Sequence, residues 1–176
     1  MALKEQRIKM SLIKVNNKDY LLRAARPDDV PQLRMLVNNA YKELSDMGLN
    51  YTATYQDEAK TFERISKGTA FVLIEQNEII ATILLGTENH FTSKNTAYIS
   101  QFAVQPHLKK NGLGSLLMDY CEQLAHERGF EGIQLDTAIP AEHLVKWYLK
   151  RGYKIVGKTH WDGKTYDSYI FEKSFD

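Results

Sequence analysis

Two spacings of apolar residues alternate along the chain, and the first of them is typical of β-strands. The runs Ser11 to Val15 and Asp19 to Arg23 have this spacing, and the runs Ala70 to Glu75 and Glu78 to Leu85 are apolar and β-branched, which also predicts strands. The members of each pair are separated by a short turn that contains Asn, a residue that tolerates left-handed backbone conformations. The pattern therefore predicts two antiparallel hairpins.

The second spacing places apolar residues three and four positions apart and predicts helices. It is clearest between positions 113 and 125, where a wide apolar stripe precedes Gly129, a natural helix stop. Near the start of the chain, acidic residues follow Pro27, and a helix N-terminus favours acidic residues. The predicted helices are Pro27 to Leu44, Asp57 to Ser66, Gly114 to Arg128 and Ala141 to Lys150.

Four further strands are predicted after residue 96, and helices separate several of them. Strands interleaved with helices are typical of an α/β (α+β) domain, and the two hairpins make its sheet mixed rather than purely parallel. The predicted strands are Ala97 to Val104, Ile133 to Thr137, Tyr153 to Lys158 and Ser168 to Glu172.

Chain length and net charge limit the number of domains and the kinds of partner that we expect. The 176 residues, of which 43% are hydrophobic, suffice for one domain with its own core. Lys and Arg together number 23 against 22 Asp and Glu, so the chain lacks the basic excess that neutralises a nucleic-acid backbone. We therefore expect no nucleic-acid partner.

Cysteine content and hydropathy indicate a cytoplasmic protein. Cys121 is the only cysteine, so no intrachain disulfide can form and a cysteine-based zinc site is not expected. The longest nearly apolar run, Ile79 to Leu85, is far shorter than the ~18 residues of a spanning helix. Charged residues also interrupt any signal-peptide core before residue 15. We therefore expect no metal and no membrane partner.

The strongest chemical signal lies between the strand that ends at Val104 and the helix that begins at Gly114. Gly112 and Gly114 allow backbone N–H groups to face outward, and an anion can approach them closely because they have no side chains. The positive end of the helix points to the same place, and Lys109 and Lys110 add charge. These features favour a phosphate site; a tight turn beside two solvated lysines has the same pattern.

Two common phosphate-binding motifs do not match this loop. A P-loop requires Lys after its second glycine, where the chain has Ser115. A dinucleotide fingerprint requires a third glycine where Leu117 stands. Asp136 lies where a ribose-binding acid would, but too little chain follows it for the further βα units of a nicotinamide enzyme. A nicotinamide oxidoreductase is therefore the poorer interpretation.

Two motifs resemble those of the GNAT superfamily of N-acetyltransferases. Phe102 to Pro106 (FAVQP) followed by Lys109 to Gly114 (KKNGLG) is similar to the acetyl-CoA loop of that family. One departure is Lys109, which stands where Gln or Arg is usual and keeps a phosphate donor without the planar fork of Arg. The second motif, Trp147 to Tyr153 (WYLKRGY), has an aromatic pair followed by Gly and another aromatic residue.

The resemblance implies a single GNAT domain, residues 19–176, preceded by an N-terminal segment or short strand at residues 1–18. The expected fold is a central mixed, mostly antiparallel sheet of about seven strands flanked by helices. Its fourth and fifth strands are expected to splay apart and admit the pantetheine arm of acetyl-CoA. Whether the chain forms a homodimer stays open.

The same resemblance assigns a cofactor site without a metal. The pyrophosphate of acetyl-CoA is expected on the loop from Lys109 to Gly114, and the backbone of Phe102 and Val104 is expected to hydrogen-bond the pantetheine. The expected cofactor-binding residues are Phe102, Ala103, Val104, Lys109, Lys110, Asn111, Gly112, Leu113, Gly114 and Ser115.

The resemblance also names a general acid. Tyr148 matches the family tyrosine that returns a proton to the departing thiolate, although its place on the apolar face of a helix also fits a core residue. Acetyl transfer would be direct and would need no cysteine nucleophile. Cys121, on the apolar stripe of its helix, is accordingly expected to be a core residue.

The sequence identifies no general base. Many relatives have an acid on the strand before the loop, but this chain has Ser100 and Gln101 there, and neither can take up a proton at neutral pH. A base acting through water, or an amine deprotonated in bulk solvent, is at least as good an explanation. The remaining candidates are Glu88, His90 and His107.

Two functions stay open from the sequence. The first is acetyl transfer from acetyl-CoA to a primary amine of a small molecule or peptide, and the alternative is a non-catalytic acyl-CoA-binding or sensing module. Candidate contacts for the amine are Tyr51, Tyr55 and Gln101, and the loop Thr87 to Asn95 is expected to shape its pocket.

Overall fold

The computed structural model describes residues 10–87 and 94–175, which form one mixed sheet of eight strands. In chain order the strands are β1 (Ser11–Val15), β2 (Lys18–Ala24), β3 (Gly68–Glu75), β4 (Glu78–Gly86), β5 (Thr96–Val104), β6 (Gly132–Ala138), β7 (Lys154–His160) and β8 (Asp167–Ser174). Across the sheet they lie in the order β1-β2-β3-β4-β5-β6-β8-β7.

Four helices flank the sheet within the described ranges: α1 (Val30–Asp46), α2 (Glu58–Ile65), α3 (Leu113–Glu127) and α4 (Glu142–Lys150). The last three begin and end within one residue of their predicted bounds. Helix α1 begins later than predicted because Pro27–Asp29 form a separate turn of 3-10 helix. None of these helices combines the length and the apolarity that crossing a membrane requires.

Both predicted hairpins are present. The turn residues Asn16, Asn17, Gln76 and Asn77 all have positive φ, as the tight turns of twisted hairpins require. The sheet has eight strands rather than the expected seven because β1 pairs in full with β2, from Ser11 opposite Leu22 to Val15 opposite Lys18.

The two parallel neighbours β5 and β6 separate along their length. They pair only at Thr96–Tyr98 against Gly132–Gln134. Both strands then continue, to Val104 and Ala138, without further pairing, so a gap opens between them. They are the fourth and fifth strands when the count starts at β2, which confirms the predicted splay.

The core supports this sheet from both faces. On one face α3 buries its apolar stripe, and on the other α1 packs against residues such as Val72 and Ile79. Cys121, on α3, is fully buried, and burial raises the pKa of its thiol to about 12, so the thiol is neutral and serves as a core residue. The buried stripe of α3 consists of Leu113, Leu117, Met118, Cys121 and Ala125.

A partly buried ion pair fixes the start of α1 to β2. Arg23 Nη1 and Nη2 donate to the two carboxylate oxygens of Asp29 at 2.6 and 2.9 Å, and the Arg26 N–H donates at 2.7 Å. Burial by itself raises the pKa of the Asp29 carboxyl, but the hydrogen bonds from Arg23 and Arg26 outweigh it and hold this pKa below its usual value. The pair therefore fixes the position of the N-terminal end of α1 on the sheet.

Replacing Asp29 with Asn is expected to destabilise the protein by roughly 3 kcal/mol at pH 7, because Arg23 loses its buried partner. The folded-state pKa of Asp29 is lowered, so its stabilising contribution is present above the unfolded pKa, about 3.9, and is lost as the pH falls through the folded value. Urea denaturation of both proteins between pH 7 and pH 3 measures the difference.

The exposed neighbour Asp28 provides the matched control. Asp28→Asn should change the free energy of unfolding by less than about 0.5 kcal/mol. A stability difference between wild type and Asp29→Asn that stays constant down to pH 3 would contradict the assignment.

Candidate active site

A β-bulge interrupts β5 at the point where the gap opens. Thr82 and Leu84 of β4 pair with Ala103 and Ser100 of β5, so one residue of β4 lies opposite two of β5. One of these two, Gln101, has a φ of +49°. A bulge bends its strand and redirects side chains. It therefore ends the regular alternation of β5 beside the gap.

The segment between β5 and α3 presents a row of backbone N–H groups. Pro106–Leu108 form one 3-10 turn, Lys110 and Gly112 have φ of +68° and +83°, and α3 begins at Leu113. The N–H groups in the first turn of a helix have no acceptor within the helix, and no side chain caps them here. This geometry is typical of an anion site at a helix N-terminus.

The two glycines of this loop have different roles. Gly112 has open space where a Cβ would lie, but its φ of +83° strains any other residue. At Gly114, a Cβ would lie 3.2 Å from the Phe102 ring, so the absence of a side chain lets α3 approach β5 closely. Both glycines leave the N–H groups uncovered, and the loop accordingly fits a diphosphate.

The polar residues of the loop are exposed. Lys109 Nζ lies 3.1 Å from Glu43 Oε2 on α1, and this hydrogen bond lowers the pKa of the Glu43 carboxyl. The Asn111 carbonyl accepts a hydrogen bond from Asn16 at 3.2 Å. Lys110 is exposed on the same turn, whereas Ser115 is partly buried. Two ammonium groups therefore flank the N–H groups.

The edge of β5 offers backbone groups to the gap. The Gln105 N–H donates to the Ile80 carbonyl of β4 at 2.8 Å. Because successive backbone groups of a strand point to opposite sides, those of Val104 are directed away from β4, toward the gap. The Phe102 carbonyl accepts a hydrogen bond from the Tyr41 hydroxyl at 3.1 Å.

A cavity of about 370 Å³ lies beside the bulge, between the sheet, α1, α2 and the segment that follows β7. It is large enough for a small-molecule ligand. Its walls combine aromatic rings, three cationic side chains and one carboxylate. The described residues that line it are Tyr41, Tyr51, Thr52, Ala53, Arg64, Lys67, Leu84, Gly86, Tyr98, Ile99, Ser100, Gln101, Asp136, Trp161, Lys164 and Tyr166.

Asp136, on β6, supplies the only carboxylate among the described residues that line this cavity. The Tyr98 hydroxyl and Trp161 Nε1 donate to its two oxygens, the latter at 2.9 Å. Burial, together with the neighbouring carboxylate, raises the pKa of Tyr98 well above its usual value, so the hydroxyl stays protonated. The carboxylate is thus held in one orientation and has the chemistry of a general base.

Sequence reasoning missed this role because it considered Asp136 only as a ribose ligand. An acid within a strand that has no other charged residue, Gly132–Ala138, is the signal that could have identified it. Of the bases that were considered, His107 lies exposed on the 3-10 turn and does not line the cavity. Glu88 and His90 lie outside the described residues, as does most of the loop Thr87 to Asn95.

Arg64, in the last turn of α2, contributes a guanidinium to the cavity wall. Its Nη1 donates to Gln56 Oε1 at 2.8 Å. The Gln101 amide lies against the same group, 2.9 Å from Nε when its oxygen faces the cation. Burial lowers the pKa of Arg64 from its usual value, but an Arg side chain remains charged near neutral pH. Sequence patterns gave no signal for this contact.

The three candidate acceptor contacts occupy different positions. Gln101 and Tyr51 both line the cavity, and the Tyr51 hydroxyl lies 2.9 Å from Thr137 Oγ1 and accepts from the Ala138 N–H at 2.8 Å. Tyr55 does not line it, and this residue is 64% exposed. The structure therefore brings two of the three together.

Tyr148, on α4, lies among the rings of Trp147, Tyr153 and Phe171 and is 7% exposed. Among the described residues its hydroxyl has no hydrogen-bond partner, whereas buried tyrosine hydroxyls usually have one. Burial raises the pKa of Tyr148 well above its usual value, so the phenol stays protonated. The hydroxyl is therefore a proton donor that no described acceptor uses.

Comparison with known proteins shows the family to which this chain is similar. Residues 34–153 match the model of the acetyltransferase (GNAT) family. The chain is 26% identical over 150 residues to an S-alkylcysteine N-acetyltransferase of Bacillus subtilis, covering 82% of this chain and 84% of the relative. It is 28% identical over 135 residues to an S-(2-succino)cysteine N-acetyltransferase of the same organism, covering 74% and 82%.

Solved structures show the same fold at lower identity. A GNAT-family acetyltransferase from Listeria monocytogenes superposes with a TM-score of 0.72 at 17% identity, covering 94% of this chain and all of that one. Ard1 from Thermoplasma volcanium superposes with a TM-score of 0.70 at 18% identity, covering 88% and 97%.

Proposed function

The chain belongs to the acetyltransferase (GNAT) family and is an acyltransferase, and from this premise we propose that it transfers an acetyl group from acetyl-CoA directly to the primary amine of a small molecule. The observation that carries the proposal is the gap between β5 and β6. An anion-binding loop lies at the α3 side of this gap, and a cavity with one fixed carboxylate lies at its α1 side.

The loop from Lys109 to Gly114 holds the diphosphate of the cofactor in this proposal. The uncovered N–H groups of the first turn of α3 donate to phosphate oxygens, and Lys109 and Lys110 supply charge. The backbone of Val104 at the free edge of β5 meets the amide groups of the pantetheine. Acetyl-CoA itself supplies an acetyl group activated as a thioester.

Asp136 acts as the general base in this proposal. An acceptor amine in the cavity is protonated at neutral pH and must lose a proton before it can attack a carbonyl carbon. The Asp136 carboxylate takes up that proton, directly or through one water, while Tyr98 and Trp161 keep it oriented. This assignment removes the main reason for the alternative of a non-catalytic sensing module, which was the lack of a recognisable base.

Tyr148 acts as the general acid. The C–S bond of the thioester breaks as the new C–N bond forms, and the Tyr148 hydroxyl gives its proton to the sulfur. Its hydroxyl supports this role, because no described residue accepts a hydrogen bond from it and it is free to donate to the sulfur as the thiolate forms.

The curated relatives support a small-molecule acceptor. Two of them are named for N-acetylation of S-substituted cysteines, and a cavity of about 370 Å³ accommodates an acceptor of amino-acid size. The cytoplasmic location expected from the sequence stays a prediction.

Replacing Gly112 with Asp is expected to weaken acetyl-CoA binding by more than about 100-fold, because the new side chain brings bulk and negative charge to the phosphate site. Isothermal titration calorimetry measures the dissociation constant. Gly129→Asp is the matched control, since Gly129 has a similar φ of +82° and open space but lies at the other end of α3. Equal binding by the two variants, or no binding by wild type at millimolar ligand, would contradict the assignment.

Replacing Asp136 with Asn should lower kcat/KM for the amine by about 10²- to 10⁴-fold at pH 7, the usual contribution of a general base. The deficit should narrow as the pH rises, because more of the amine is then deprotonated in solution. Steady-state thiol release from pH 6 to pH 10 measures both effects, with the exposed Asp46→Asn as control. A deficit that does not change with pH would indicate a structural role instead.

Replacing Tyr148 with Phe is expected to lower kcat by about 100-fold and to leave the dissociation constant of acetyl-CoA nearly unchanged, because only the proton donor is lost. Pre-steady-state thiol release and calorimetry separate the two quantities. Tyr120→Phe removes a hydroxyl from the α3 ring that packs on Phe71, and it should leave kcat unchanged. Turnover of Tyr148→Phe equal to wild type would assign Tyr148 to packing alone.

A further inference from the structure

Arg64 is a cation in the cavity wall that forms no ion pair with a described carboxylate, and the charges of Asp136 and Glu63 act on it only from a longer distance. The partners that the structure gives its guanidinium are the amides of Gln56 and Gln101, and both are uncharged. A guanidinium carries five N–H donors in a fixed planar fork. Arg64 therefore keeps donors for a group that enters the cavity.

Other partly buried arginines of this chain have anionic partners. Arg23 binds both carboxylate oxygens of Asp29, at 2.6 and 2.9 Å, and Arg151 lies 2.6 Å from Asp119 and 3.1 Å from Glu122. Removing a charge from water without pairing it is unfavourable. The unpaired Arg64 is thus the arrangement expected of a binding residue whose anion arrives with the ligand.

The other two cations of the cavity are less suited to bind a ligand directionally. The Lys164 ammonium already donates to the Asn50 carbonyl, Thr52 Oγ1 and the Tyr55 hydroxyl at 2.9 to 3.2 Å, so its three donors are used. Lys67 is exposed. Both contribute positive potential, while Arg64 supplies the directed hydrogen bonds.

The charges of the described lining residues, three cations against the single carboxylate of Asp136, favour a ligand with net negative charge or with separated charges. A polyamine would meet like charge. A peptide N-terminus has an amide where a free amino acid has a carboxylate, and it would leave the guanidinium unpaired.

We propose that the acceptor is a free amino acid, or a closely related amino-carboxylic acid, whose carboxylate binds Arg64 while its amine lies at Asp136. This inference rests on the proposed acetyl transfer and identifies the class of its acceptor. Arg64 is the residue that determines specificity, because a carboxylate is the planar anion that matches its fork.

The test compares acceptors that differ only at the carboxylate. Thiol release from acetyl-CoA by the full-length enzyme is measured with free amino acids, with their carboxamides and with the corresponding decarboxylated amines. We expect kcat/KM to be about 10- to 100-fold higher for the free acids, the range that a hydrogen-bonded charge pair supports, with most of the difference in KM.

Variants then test whether Arg64 causes the preference for free acids over amides. Arg64→Gln should bring the ratio of kcat/KM for acid and amide close to one, and Arg64→Lys, which keeps the charge without the fork, should give an intermediate ratio. Arg34→Gln removes a partly exposed arginine outside the cavity and should preserve the wild-type ratio. Calorimetry with acetyl-CoA shows whether each variant still folds and binds the cofactor.

The outcomes separate this inference from the proposed function. Carboxamides that react as well as the free acids in wild type, or an unchanged ratio in Arg64→Gln or Arg64→Lys, would overturn the role of Arg64 and leave acetyl transfer in place. If no amine of any class released thiol while acetyl-CoA bound, the proposed function would fail, and the inference would fail with it. Should Arg64→Gln not fold, the wild-type ratio and Arg64→Lys decide.

Discussion

The separation of β5 from β6 is the constraint on which the rest of the site depends. Two parallel strands that pair over only three residues leave backbone donors and acceptors without partners in the middle of a sheet, and such groups are unfavourable unless something binds them. The surrounding structure keeps this opening in place. The buried stripe of α3 packs on one face of the sheet, and α1, which the Arg23–Asp29 ion pair fixes to β2, packs on the other.

The two ends of the gap are built from different parts of the chain. The proposed phosphate site, the loop from Lys109 to Gly114, is a local feature, made by consecutive residues between β5 and α3. The cavity is not local, since α1, α2, β5, β6 and the segment after β7 all contribute to its wall. In the proposed function, this division separates affinity for the cofactor, which one short segment supplies, from the choice of acceptor, which distant segments determine together.

The same division explains what could be predicted from the sequence. The hairpins, α3 and the glycine loop follow from local signals: turn residues that accept positive φ, an apolar stripe, and glycines before a helix. Some strands begin or end a residue or two away from their predicted bounds because pairing with a neighbouring strand sets the end. Strand β6, for example, begins at Gly132, which pairs with Ser174. Arg64 and Asp136 could not be predicted to share a cavity, because their proximity depends on how α2 packs against the sheet. The expected count of about seven strands came from the family resemblance, whereas the apolar spacing of Ser11 to Val15 had already predicted β1, which pairs with β2 along its whole length.

The contact between Lys109 and Glu43 has a consequence for how an anion enters the loop. Both side chains are largely in solvent, 41% and 62% exposed, so their attraction is weak, about 0 to 1 kcal/mol. In the proposed function, a phosphate that enters the loop competes with Glu43 for the Lys109 ammonium, and the weakness of the pair lets that exchange occur at little cost in free energy. Glu43 belongs to α1, which also carries Tyr41 into the cavity wall, so one helix contributes a side chain to each of the two proposed substrate sites.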